Sequence, residues 1–85
     1  MKPFDVQMTT SARKELDRLP NAIIAKIVAA IRDLANDPRP RSSKKLKGVD
    51  NTHRLRVGVY RVVYEVHEKE IVILVIRIRH RKDAY

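Results

Sequence analysis

The stretch HRLRVGVYRVVYEVHEKEIVILVIRIRH, residues 53–80, decides the fold. HRLRV (53–57) and YRVVYEV (60–66) alternate in side-chain character. IVILVIRI (71–78) is a nearly continuous apolar run, as expected of a buried strand. Gly58 and the polar HEKE segment (67–70) separate the three as turns. Three strands with such short links predict an antiparallel meander.

Working outward, FDVQMT alternates apolar Phe4, Val6 and Met8 with Asp5 and Gln7, the pattern of a short half-buried strand. In TTSARKELDRLP, one of Thr9, Thr10 or Ser11 caps a helix whose apolar stripe is Ala12, Leu16 and Leu19, and Pro20 stops it. Asn21 is the expected cap of a second helix. Its stripe is Ile23, Ile27, Ile31 and Leu34, widened by Ile24, Val28 and Ala35, and Pro38 closes it. So short a link predicts a helical hairpin. PRPRSSKKLKGVDN then reads as a basic loop, with Leu46 as its anchor to the core. The fold class is α+β in the order β-α-α-β-β-β: an antiparallel sheet with a helical hairpin packed on one face, in a single domain over residues 1–85.

Composition bounds the function. With 44% hydrophobic residues, 85 residues can build one core. The chain has no cysteine, so disulfides and cysteine metal sites are excluded, which fits a reducing cytoplasm. No run approaches the roughly 20 apolar residues of a membrane span, and MKPFDVQM does not read as a secretory signal. Nineteen Lys and Arg against ten Asp and Glu give a net charge of +9, which points to a polyanionic partner. Eleven of the nineteen lie between Lys44 and Lys82, in the half that carries the meander.

The placement of the arginines is more informative than their number. Arg54 and Arg56 are two apart and share one strand face, while Leu55 and Val57 take the other. Arg61 shares a face with Val63 and Glu65, and Arg77, Arg79 and Arg81 recur at alternate positions. If the face away from the helices carries them, Arg54, Arg56, Arg61 and Arg81 form one pocket. The sequence leaves this register open, because a one-residue slip at HEKE puts Arg61 and Arg81 on different faces. Clustered guanidinium groups repel and cannot shed a proton near neutral pH, and a phosphodiester relieves that repulsion through bidentate pairing. Tyr85, one of four aromatics, can stack on a base.

Plainer readings stand beside these. Arg54 and Arg56 also suit a solvated strand face, KKLKG an exposed loop, and Arg79 to Lys82 a protected strand edge. His53 and His67 read as surface residues, Glu65 and Glu68 as isolated carboxylates, and Tyr60 and Tyr64 as core. His80 has no partner at metal-ligand spacing, so no metal or other cofactor is expected.

KLKG, RLRVGVYRVVYEV and VIRIRHRKDAY, with the helical hairpin before them, resemble the RelE/ParE superfamily of bacterial and archaeal toxins, and RelE most. The resemblance spans essentially the whole chain. It implies a fold like small microbial ribonucleases and a cytoplasmic toxin of a type II toxin–antitoxin system. It also implies an mRNA endonuclease that works in the 30S A site of the ribosome, where the 2′-OH attacks the adjacent phosphate. On this resemblance Arg54 and Arg56 hold the scissile phosphate, Arg61 and Arg81 stabilise its developing charge, and Tyr85 orients or stacks on a nucleotide. Lys44, Lys45 and Lys47 contact ribosomal RNA, Arg79 and Lys82 are RNA-backbone contacts, and His80 is a candidate acid or base. The best-known member has lysines where Arg54 and Arg56 stand. Arginine does not serve as a general base, which makes Tyr85 a candidate for that role. The implied partners are a RelB-like antitoxin, the ribosome and mRNA, with operator DNA bound only through the antitoxin complex and no membrane. The alternatives are a ParE-like inhibitor of DNA gyrase that cuts nothing, and a basic nucleic-acid-binding or co-repressor module.

Overall fold

The three predicted meander strands pair as the sequence predicts, and the computed structural model extends them into a five-stranded sheet. It describes residues 3–46, 48 and 51–83. The elements are β1 (Asp5–Met8), α1 (Thr10–Asp17), α2 (Asn21–Leu34), β2 (Ser43–Lys45), β3 (Thr52–Val57), β4 (Tyr60–His67), β5 (Val72–His80) and a 3₁₀ turn (Arg81–Asp83). The strand order is β1-β5-β4-β3-β2.

Two features depart from the expected antiparallel sheet. β1 pairs parallel with β5, Asp5 opposite Val72 through Met8 opposite Val75, so the sheet is mixed. The basic loop also contains a strand: Ser43–Lys45 pairs antiparallel with β3. Its sequence, SKK, has no apolar alternation, and the strand exists through its pairing with the exposed edge of β3. Lysines suit an edge that must not recruit other chains.

The helices cover the inner face. Thr9 caps α1 by accepting the Ala12 N–H at 3.1 Å. Asn21 does not cap α2. The Pro20 carbonyl accepts the first N–H groups, from Ile23 and Ile24, and Asn21 is already helical. Ala12 and Leu16 from α1 and Ile27, Ile31 and Leu34 from α2 pack on Leu55, Val62, Tyr64, Val66, Ile73, Val75 and Ile78. Leu46 is half-buried and lies outside this cluster.

A bulge in β5 sets the direction of the arginines. Val63 pairs with Arg77, but Tyr64 pairs with Val75, so Ile76 is an extra residue. Before it the odd positions Ile73 and Val75 face the core, and after it the even position Ile78 does. A bulge of this kind reverses which side chains point inward. An unbroken strand would send Arg77 and Arg79 into the helices.

α1 finishes the sheet edge. Among the described residues, no strand continues past Met8 on the β1 side of β5, and Glu15 takes its place. Its Oε1 accepts the buried Ile78 N–H at 3.0 Å, while its Oε2 lies 2.9 Å from Arg79 Nε and 4.0 Å from Arg77. The Arg79 contact is an ion pair whose N–H is not aligned for a hydrogen bond.

Candidate functional site

Residues directly opposite in an antiparallel pair share a face. Arg56 lies opposite Arg61 and Arg61 opposite Arg79, a row of three arginines across β3, β4 and β5. One step along, Lys44 lies opposite Arg54, Arg54 opposite Val63 and Val63 opposite Arg77. The open face is therefore basic from β2 to β5; the register at HEKE puts Arg61 and Arg79 on a common face, while Arg81 lies past the end of β5.

The β3–β4 hairpin brings Arg81 to this row. Val57 pairs with Tyr60, which leaves a two-residue loop, Gly58–Val59. Gly58 has φ +60° and Val59 does not have a positive φ, the pattern of a type II′ turn. The Arg81 N–H donates to the Val59 carbonyl at 2.7 Å, so the 3₁₀ turn folds against the hairpin tip. Arg56, Gly58, Tyr60, Arg61 and Arg81 then line one cleft of about 120 Å³. Among the described residues, no carboxylate lines it. Arginines directly opposite one another destabilise a sheet unless an anion sits between them. Three guanidinium groups converging from three elements can grip a phosphate and stabilise added charge on its oxygens.

A family model described as ParE toxin of type II toxin–antitoxin system, parDE, matches residues 6–85. The chain belongs to the RelE/ParE family of type II toxins. It is 32% identical to Toxin RelG of Mycobacterium tuberculosis over 84 residues, 98% of this chain and 97% of that protein. Among solved structures, a chain of the RelBE2 toxin–antitoxin complex from Mycobacterium tuberculosis matches with TM-score 0.83 and 34% identity, over 98% of this chain and 97% of that one. A chain of the archaeal RelE–RelB complex from Pyrococcus horikoshii matches with TM-score 0.85 and 30% identity, over 96% and 99%.

The toxin's other sequence-predicted site residues fall into three groups. Arg54 borders a second cleft beside the first, together with Lys44. Arg79 faces the arginine row but is held by Glu15. Lys45, His80 and Lys82 are not in the lining of the arginine cleft. Lys45 pairs with His53, one register step from Lys44, and so takes the other face. His80 pairs with Tyr60, sits edge-on to its ring at 5.4 Å, and accepts the Lys82 N–H on Nδ1 at 3.2 Å. That bond leaves Nε2 to carry the proton of the neutral ring. Lys47 and Tyr85 lie outside the described residues.

Several neighbours differ from their sequence reading. His53 is buried, 5% exposed, and stacks on Tyr64 at 5.6 Å. Burial first, then the Arg39 and Lys45 charges, hold its pKa below the ordinary value. Tyr64 is core, as expected, and its hydroxyl donates to the Pro38 carbonyl at 2.7 Å. Burial raises its pKa. Tyr60 packs at the margin of the core but also lines the arginine cleft. Glu65 and Glu68 are not isolated: Glu65 pairs with His67 at 2.8 Å, and Glu68 with Arg39. Tyr60, Gly58 and Glu15 carry no motif of their own. The only signal for Tyr60 was its place beside Arg61.

Proposed function

We propose that this toxin is a ribosome-dependent mRNA endonuclease and that the Arg56–Arg61–Arg81 cleft binds the scissile phosphate. The observation that carries the reading is this convergence of three arginines from three elements in one cleft. In the proposed reaction the 2′-oxygen of the RNA bonds to phosphorus and the bond to the 5′-oxygen breaks, leaving a 2′,3′-cyclic phosphate and a 5′-hydroxyl. The 2′-OH proton passes to a base, for which Tyr85 is the candidate, and a proton reaches the leaving 5′-oxygen. Arg61 and Arg81 stabilise the charge on the phosphorane oxygens, with Arg81 beside the leaving oxygen. Arg56 holds the phosphate and polarises the 2′-OH, with Arg54 supporting it from the adjoining cleft. His80 remains a second candidate for proton transfer, its ring packed edge-on against Tyr60, which lines the cleft. The basic residues Lys44, Lys45, Lys47, Arg79 and Lys82 would add contacts to RNA backbone.

A RelB-like antitoxin is the proposed partner, since the similar solved structures are of RelE-type toxins in complex with RelB-type antitoxins. An acidic, disordered antitoxin segment would fold onto the basic face. The toxin would act in the cytoplasm and reach operator DNA only through that complex. Among the described residues, no helix is long and apolar enough to cross a membrane.

The test is addition of the purified toxin to programmed ribosomes, with the new 5′ ends of the mRNA mapped. Cuts in the A-site codon support the reading, and intact mRNA counts against it. The ParE description of the matched family favours a second reading, inhibition of DNA gyrase. A supercoiling assay in parallel separates the two.

A further inference from the structure

The arginine cleft opens beside a larger one of about 410 Å³, lined by Arg41, Ser42, Ser43, Lys44, Arg54 and Arg56. We infer that this larger cleft is a second phosphate subsite, which holds a neighbouring phosphodiester of the same single RNA strand. The inference rests on the nuclease reading and extends it from one phosphate to a track.

Arg56 lines both clefts, so a strand leaving the first enters the second without crossing neutral surface. The track runs across the strands from β4 to β2. At a spacing of about 4.8 Å per strand, that is roughly 10 Å, enough for another phosphodiester. Lys44 lies opposite Arg54 as Arg56 lies opposite Arg61, so cationic side chains face one another along the whole track. Among the described residues, neither cleft is lined by a carboxylate. Two residues before Arg41, Arg39 is neutralised by Glu68, whereas Arg41 and Lys44 have no acidic partner among the described residues.

The cleft wall is also built rather than loose. Ser43 donates its hydroxyl to the Pro40 carbonyl at 2.7 Å, and its N–H to the same oxygen at 2.9 Å. The Arg56 N–H donates to the Ser42 carbonyl at 3.1 Å. These bonds fix residues 40–43 against β3, so Arg41 and Lys44 are presented from a paired edge. The occupant's chemistry follows from the lining. Among the described residues, the cleft's lining has no aromatic or large apolar side chain. It offers cations and hydroxyls, which suit phosphate and ribose.

The test uses the full chain, no ribosome, and uncleavable 2′-O-methyl oligonucleotides read by fluorescence anisotropy. One probe has a single phosphodiester, and the other is long enough to span both clefts. Each phosphate contact on a single strand contributes about 0.7 to the slope of log affinity against log salt. Arg41→Ala with Lys44→Ala should lower that slope by about 1.4 on the long probe. The variant then loses about sevenfold less affinity than the parent between about 50 and 200 mM salt. The single-phosphate probe should bind parent and variant alike. Arg41→Lys with Lys44→Arg should restore the slope, which separates charge from folding. An unchanged slope on the long probe, or equal loss on both probes, overturns the inference. So does a variant that weakens only a competing acidic peptide, which would make this a protein site. Failure of mRNA cleavage on ribosomes, with the length-dependent slope intact, would sink the nuclease reading and leave the second subsite standing.

Discussion

Glu15 offers the sharpest test of how the sheet is finished, because one side chain stands in for a missing strand. Glu15→Ala removes the acceptor from the Ile78 N–H, and Ile78 is only 4% exposed. An orphaned buried N–H costs about 1–3 kcal/mol. The ion pair to Arg79 adds less. The Arg79 side chain is 39% exposed, so solvent screening holds its share to about 0.5 kcal/mol or below. Alanine's better helix propensity returns a few tenths of a kcal/mol, on the order of 0.3. The expected net loss is about 2 kcal/mol, which in a domain this small lowers the melting temperature by roughly 8–16 °C. Glu15→Gln keeps an oxygen for the Ile78 N–H and gives up only the charge, so it should lose about half as much. Urea titration followed by circular dichroism measures both variants, and hydrogen exchange at the Ile78 amide should speed up in Glu15→Ala alone. An alanine variant as stable as the parent, or a glutamine variant as damaged as the alanine one, would refute the capping role.

Three further outcomes follow from single contacts. His53 is held below its ordinary pKa by burial, Arg39 and Lys45, so the folded state resists a proton that the unfolded state accepts. Its contribution to stability is complete above about pH 6.5 and is lost as pH falls from there toward the lowered folded value. Comparing urea midpoints across that range, His53→Phe should be less sensitive to acid than the parent, and equal sensitivity would count against the assignment. Tyr64→Phe leaves the Pro38 carbonyl without its donor and should cost about 1–2 kcal/mol in a denaturation curve, with no change in m-value. Gly58→Ala meets no atom within 4 Å, so only the backbone strain at φ +60° remains. A loss of about 1–2 kcal/mol in thermal melts is expected, and no loss would contradict the II′ turn.

The inner face of the meander was legible in the sequence because Leu55, Val62, Tyr64 and Val66 alternate with polar neighbours and the turns at Gly58 and HEKE bound them. What was not legible depended on partners distant in the chain. SKK has no strand signal and becomes β2 only against β3. β1 reads as a strand, but nothing in DVQM says that it runs parallel to VILV. The bulge at Ile76 lies in an apolar run where every residue looks equally buried, yet it alone turns Arg77 and Arg79 outward. His53 precedes two arginines and reads as surface, and it is buried because Tyr64 offers a ring to stack on. Of the candidate site, Arg56, Arg61 and Arg81 do meet in one cleft. Arg41 and Tyr60 join the basic surface through the loop and hairpin geometry, which no spacing rule encodes.

The central claim is that arginines from β3, β4 and the 3₁₀ turn stabilise a phosphate in its transition state. It is tested most directly by the single-turnover rate of A-site cleavage on programmed ribosomes at saturating toxin. Removing one such donor costs about 10²–10³ in rate. Arg61→Ala and Arg81→Ala should each show a fall of that order with the fold intact by circular dichroism. Cleavage by either variant at the parent's rate would contradict the account.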